Sequence, residues 1–324
     1  MLPTPSPPTP LRGRMWRRLF GIPEREIDMD RRGFFTGVPG MQARLETCGG
    51  AFMRGYNLAL GDAGTAALTA GLETVPRDVR GFAYEGAAMG LALLDRLTPW
   101  NRQRLAAFLA GPAEPHCYLA HVGAGWVLGR LPVNVERFLA RLDPLQRWLA
   151  LDGYGFHEGF FQPARYTAGE AAPARLQGYA RRAFDQGLGR SFWFVHGGSV
   201  SRIADNIRQL SEARRADLWS GAGLGATYAG GASSADLDTL AESAGTYRPQ
   251  LAQGSAFAAK ARVRAGNASA YTDAACHALC ELSAQEAADV TDACLEDLPA
   301  DAAQPSFEIW RQRIQQHFAP TLVL

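Results

Sequence analysis

Apolar and polar positions along this chain follow a helical spacing, and no long stretch alternates with period two, so strands are not expected. Two kinds of helical segment take turns. The first is apolar, rich in small residues and marked by glycine. It occurs as FAYEGAAMGLALLD around Gly86, YLAHVGAGWVLGRL around Gly123 and WLALDGYGFHEGFF around Gly153. It returns as RRAFDQGLGRSFWF around Gly187, ADLWSGAGLGATYAG around Gly221 and PQLAQGSAFAAKAR around Gly254. Gly50, in LETCGGAFMRGY, reads as a seventh and more degenerate copy. Amphipathic segments follow four of them: TPWNRQRLAAFLAG, NVERFLARLDPLQRWL, SRIADNIRQLSEARR and SADLDTLAESAG. Thr98, Ser201 and Ser234 precede or open such segments as N-caps. Pro76, Pro99, Pro132, Pro163 and Pro249 fall near the joints, where a missing N–H costs least.

The glycines recur at intervals of 30 to 37 residues, the length of one helical hairpin stacked on the next. The expected fold is therefore all-α: an array of about seven helical hairpins with a period of about 34 residues, forming an α/α toroid or tight superhelix. Each glycine inside a helix costs about 1 kcal/mol in propensity, so the repeated expense implies close approach of helix backbones. One repeat domain is expected over 15–324, with terminal capping helices, after a Pro-rich disordered leader over 1–14. Residues 169–178 read as a long loop, and 299–305 as a break before a last helix.

Aligning the segments on their glycines exposes one recurrent position. The residue before the glycine is Glu85, Val122, Asp152, Gln186, Ser220 or Gln253. One turn later come Met89, Trp126, Phe156, Arg190, Leu224 and Phe257. A strong polar group thus sits near the middle of an otherwise apolar helix, and an unpaired buried carboxylate is costly. This face is expected to line a central cavity, with Tyr84 and Trp219 among its aromatic neighbours. The plain alternative is that the aromatics are core and the acids pair with arginines of the next repeat. Catalytic candidates are Glu85, Asp152, His157 and Asp185; substrate-binding candidates are Tyr84, Trp126, Phe156, Gln186, Arg190, Trp219, Gln253 and Phe257. His157 beside Glu158 could work as an acid–base element, although sequence neighbours on a helix point about 100° apart.

Charge and composition narrow the classes. Lys+Arg total 33 and Asp+Glu 32, which lacks the basic footprint of a nucleic-acid binder. No apolar run suffices for a membrane span, and the segment MWRRLFGI reads as a cap on the array or a short membrane-surface contact. Five irregularly spaced cysteines suggest reduced thiols and a cytoplasmic location. ACHALC offers two thiols on one helix face, too few for a zinc site, so no metal and no cofactor is expected. Gly-rich GAGLGATYAGG lacks a preceding strand, which argues against a nucleotide.

The segments RGFAYEGAAMGLALLDRLTPW, LDGYGFHEGFF, GYARRAFDQGLGRS and ADLWSGAGLGATYAGG resemble an uncharacterised bacterial family associated with enediyne biosynthesis gene clusters. The resemblance extends from about Trp16 to Phe318 and implies a pathway, with no reaction and no catalytic residues to carry over. Joined to the cavity reading, it implies a protein that binds an extended apolar polyene-like intermediate, as a cofactor-independent isomerase or cyclase. The alternative is a non-catalytic scaffold, or a protein that sequesters a product. Expected partners are the apolar intermediate itself and a synthase or carrier protein of the pathway. A homodimer stays open, because terminal repeats expose surface.

Overall fold

The computed structural model describes residues 11–98 and 100–320, and among them the regular elements are helices alone. The first half contains α1 (Leu11–Phe20), α2 (Met41–Leu60), α3 (Thr65–Glu73), α4 (Arg80–Leu97), α5 (Arg104–Leu109), α6 (Cys117–Gly125), α7 (Val127–Arg130), α8 (Val135–Leu139) and α9 (Trp148–Phe161). The second half contains α10 (Pro163–Thr167), α11 (Tyr179–Val195), α12 (Val200–Gln209), α13 (Glu212–Ala229), α14 (Ser234–Ala244), α15 (Arg248–Arg264), α16 (Ala270–Cys280), α17 (Ala284–Ala293) and α18 (Ser306–His317). Helices α2, α4, α6, α9, α11, α13 and α15 pack on one another in chain order. They supply most of the core. Helices α12, α14 and α16 pack together as part of a second layer.

The glycines explain the stacking. A side chain at Gly123 would overlap the carbonyl oxygen of Glu85, at Gly153 that of Val122, and at Gly187 that of Asp152. Gly221 stands in the same relation to Gln186, and Gly254 to Ser220. Each carbonyl belongs to the residue before the previous repeat's glycine. The glycine two places later faces the opposite neighbour: Gly155 abuts Phe184, Gly189 abuts Leu218 and Gly223 abuts Leu251. Two residues turn a helix by about 200°, so a G-x-G pair clears one backbone contact on each side.

That relation corrects the register of the first copy. Gly86 meets the carbonyl of Phe52, and Gly55 meets that of Ala83. The pair in α2 is therefore Met53 and Gly55, whereas Gly50 borders only the side chain of Ile27.

Other boundaries moved as well. Thr98 follows α4, and its hydroxyl donates to the Leu94 carbonyl at 2.7 Å. Ser199 occupies the N-cap position of α12, leaving Ser201 inside the helix, and Ser233 caps α14 through a reciprocal bond with Asp236. The amphipathic segments are shorter than their patterns suggest, because SEARR already leads into α13 and NVERFLARLDPLQRWL yields only α8 before α9 begins. Pro163 and Pro249 stand in the first turns of α10 and α15; Pro99 lies outside the described residues. Residues 169–178 and 299–305 contain no helix, as expected. Helix α1 starts inside the segment expected to be a leader, of which residues 1–10 lie outside the described residues. It caps α2: Arg17 Nε donates to the Asn57 carbonyl at 2.7 Å, and the Tyr56 hydroxyl donates to the Phe20 carbonyl at 2.7 Å.

Candidate functional site

The residue before each repeat glycine faces the interior, so stacking the helices brings these residues into one chain of polar contacts. Arg190 of α11 is its hub. Its Nε donates to Asp152 Oδ1 at 2.9 Å, and its Nη1 lies 3.6 Å from Glu85 Oε1. Trp126 Nε1 donates to the same Glu85 oxygen at 3.2 Å, while Gln186 Nε2 donates to Asp152 Oδ2 at 3.0 Å. The Ser220 hydroxyl sits between Gln186 Oε1 at 3.2 Å and Gln253 Oε1 at 2.9 Å. Arg311 Nε of α18 then donates to Gln253 Oε1 at 3.2 Å. Polar residues from five of the stacked helices are thereby joined through the core.

The expected central cavity is narrowed by this arrangement to crevices. Polar contacts and aromatic rings fill the centre, leaving two crevices of about 40 Å³ each, with Arg190 on the wall of both. Such a space holds no more than a few waters. The first crevice is lined by Phe52, Phe82, Trp126, Phe156, Phe160, Phe161 and Phe194, with Glu85 and Arg190 as its innermost polar groups. Ile22 and Ile27 of the segment between α1 and α2 border it too. The second lies between α6, α13 and α15, and Phe257 and Leu224 border it.

The electrostatics of the hub are unbalanced, with one guanidinium serving two carboxyls. Burial pushes the Glu85 carboxyl up to about 7, against the pull of Arg190 and with further upward push from Asp152. Phe156 lies under the Arg190 guanidinium at 4.3 Å, and Phe52 lies 4.2 Å from Trp126. A carboxyl that changes protonation near neutrality thus borders an aromatic surface.

The remaining candidates are dispersed. Tyr84 turns outward, donating to Glu73 at 2.9 Å and stacking on His116 at 4.2 Å. Asp185 faces away from Asp152 and accepts two bonds from Arg214, at 2.6 and 2.9 Å. That ion pair explains the acid without catalysis. His157 does meet its sequence neighbour, with Nδ1 3.0 Å from Glu158 Oε1. Burial pushes its pKa down, and its ring stands edge-on to Trp126 at 5.7 Å. Trp219 is buried and borders neither crevice. Cys276 and Cys280 are buried against α15, and among the described residues no three metal-ligating side chains converge.

Sequence reasoning missed a second buried ion cluster. Arg311 Nη1 lies 2.9 Å from Asp217 and 3.1 Å from Glu308, while Arg182 reaches Asp217 at 2.9 Å and Glu308 at 2.6 Å. Glu308 and Arg311 come from α18, outside the repeat register, so no periodic signal marked them. Phe52 was missed for another reason: the α2 copy was aligned on Gly50.

A family model described as Protein of unknown function (DUF1702) matches residues 11–318. The chain belongs to that family. No curated protein and no solved structure matches it. Among the described residues no helix is long and apolar enough to cross a membrane.

Proposed function

We propose that the protein binds an extended apolar, polyene-like ligand at the first crevice and moves a proton to or from it through Glu85. The observation that carries this reading is the placement of Glu85. Its carboxyl is buried, titrates near 7, and sits beside Arg190 in a crevice lined by seven aromatic rings, with Glu26, held by Arg32, on the same lining. A general acid or base works best when its pKa lies near the ambient pH, and the apolar walls suit a substrate without polar handles. Arg190 and Trp126 hold the carboxylate form in place after proton loss, so Glu85 can return to its starting state without a cofactor. Asp152 is committed to Arg190 and Gln186, and therefore positions the guanidinium.

A ligand of that length needs the segment 21–40 to part from the rings. Side chains clamp that segment: Arg32 packs over Phe160 at 4.5 Å and Phe161 at 4.8 Å. Isomerisation or cyclisation of a conjugated chain is the reaction class that fits a lone proton donor. We further read the stack as a tight superhelix returning on itself, since Arg44 of α2 donates to the Ala229 carbonyl of α13 at 2.7 Å. A partner peptide threaded through the centre, as one scaffold reading requires, would meet the filled core. The resemblance to enediyne-associated proteins supports a biosynthetic role in that same pathway class.

The test is metabolite profiling of a strain lacking the gene, complemented with wild type or Glu85→Gln. One accumulating intermediate that folded Glu85→Gln fails to clear supports the reading. Full rescue by Glu85→Gln overturns it.

A further inference from the structure

The surface beside the crevice carries a different signal. Among the described residues four large apolar side chains are strongly exposed: Leu11 at 83%, Met15 at 48%, Leu19 at 64% and Trp100 at 79%. Three of them fall on α1 at successive steps of four, which places them along one stripe of the helix. The rest of α1 docks, through Trp16 and Phe20 about 100° round from the stripe and through the close approach of Gly13 to Gly61 opposite it. Helix α1 therefore has two apolar faces, one used for packing and one turned to solvent.

Charge flanks the free stripe. The helix reads LRGRMWRRLF, with four arginines and no acid, and residues 1–10 add no charged side chain. Arg14 and Arg18 form no ion pair among the described residues, and Arg12 is held by Asp62 at 3.0 Å. Asp62 links this helix to the fourth exposed residue. It also accepts from Arg104 Nε at 3.2 Å, and Arg104 Nη1 donates to the Asn101 carbonyl at 2.6 Å, next to Trp100. Arg96 and Arg102 flank that loop and also lack ion pairs among the described residues. Exposed apolar side chains and unpaired arginines thus occupy adjoining parts of one surface. The two acids at the link are both engaged by arginine, Asp62 by Arg12 and Arg104, and Asp95 by Arg104 at 3.6 Å.

We infer that α1 and the Trp100 loop form an interfacial docking surface for an anionic lipid bilayer. Apolar side chains on a helix flanked by arginines bury into the boundary between headgroups and acyl chains, and the arginines meet lipid phosphate. A single helix of ten residues gives weak, reversible attachment, which fits the absence of a spanning helix among the described residues. The placement has a consequence for the crevice: Ile22 and Ile27, which border it, follow α1 directly in the chain. Docking would set that rim beside a membrane from which apolar molecules partition. The surface itself does not depend on Glu85 or on any ligand, so its test is separate from the proposed function.

The experiment is flotation of the full chain with vesicles of phosphatidylcholine alone or mixed in equal parts with phosphatidylglycerol. The protein should float with the mixed vesicles only, and added salt should release it. The combined variant Leu11→Ser, Met15→Ser, Leu19→Ser alters exposed positions only and should abolish flotation. The combined variant Arg14→Gln, Arg18→Gln should weaken it on the order of 25-fold, since each arginine near an anionic leaflet contributes about five-fold. Absence of binding by the wild type, or equal binding by all variants, overturns the proposal. So does a wild-type dimer that the serine variant converts to monomer without vesicle binding, because a second copy would then cover the stripe. Binding that appears only when residues 1–10 are removed overturns it in favour of the chain's own leading segment.

Discussion

Two buried clusters of arginine and carboxylate lie at opposite ends of the same polar chain, and they differ in one unit of charge. At the α18 end, Arg182 and Arg311 face Asp217 and Glu308, two against two, with Gln253 alongside. At the crevice end, Arg190 alone faces Asp152 and Glu85. Balanced pairing gives each buried acid two guanidinium partners, which makes the α18 cluster a fastener for the last helix. At the other end burial pushes the Glu85 carboxyl up to about 7, and the single guanidinium, shared with Asp152, does not offset it. Similar residue types thus give a structural joint where one arginine, Arg182, reaches the surface, and a titrating site where the arginine is enclosed.

Breaking the balanced cluster should have the largest effect. Arg311→Met strands two buried acids that only Arg182 can then serve, and should cost about 3–5 kcal/mol in chemical denaturation. A loss below about 1 kcal/mol would show that the cluster is not the fastener.

The unbalanced site should instead reveal itself through pH. In the unfolded chain Glu85 titrates near 4.5, and in the fold near 7, so between these values the folded state binds more protons. Its contribution is complete below the lower value and disappears as pH rises through the upper one. The gap corresponds to about 3 kcal/mol. Unfolding free energies measured at about pH 5 and about pH 8 should fall by most of that amount more in wild type than in Glu85→Gln. Parallel declines in the two proteins would place the titrating group elsewhere.

A smaller effect is expected at the cover of the crevice. Arg32 donates to Glu26 at 2.8 Å and to the Phe160 carbonyl at 2.5 Å, and it contacts three aromatic rings. Arg32→Ala should destabilise by about 1–2 kcal/mol and speed amide exchange across residues 21–40, leaving α11–α15 unchanged. Uniform exchange across the protein would mean that the segment does not open on its own.

The smallest effect belongs to the bridge between the clusters. Ser220→Ala removes one hydroxyl between Gln186 and Gln253 and should cost about 1 kcal/mol. A double-mutant cycle with Glu85→Gln should then be additive within about 0.5 kcal/mol if the two ends act independently.

Several of these features were legible in the sequence, and the reasons are specific. Glu85, Asp152, Gln186, Ser220 and Gln253 announced themselves because each precedes a repeat glycine, and that register fixes the face they occupy. Asp185 misled because one residue along a helix turns the side chain by about 100°, towards Arg214. Tyr84 misled in the same way, as it precedes Glu85 and meets Glu73 outside the crevice. Whether the polar residues line open space or fill it depends on how closely the helices approach. The glycines implied close approach, and the consequence is a packed centre.

The sequence by itself determined the helices, their order and the inward polar position, because those follow from local periodicity and from backbone contacts that only glycine permits. Tertiary structure alone decided which acid shares which arginine. Glu85 and Arg190 are separated by three repeats, and Arg311 arrives from a helix that belongs to none. Pairing across such distances depends on the path of the whole stack, and with it the charge balance that separates a fastener from a site.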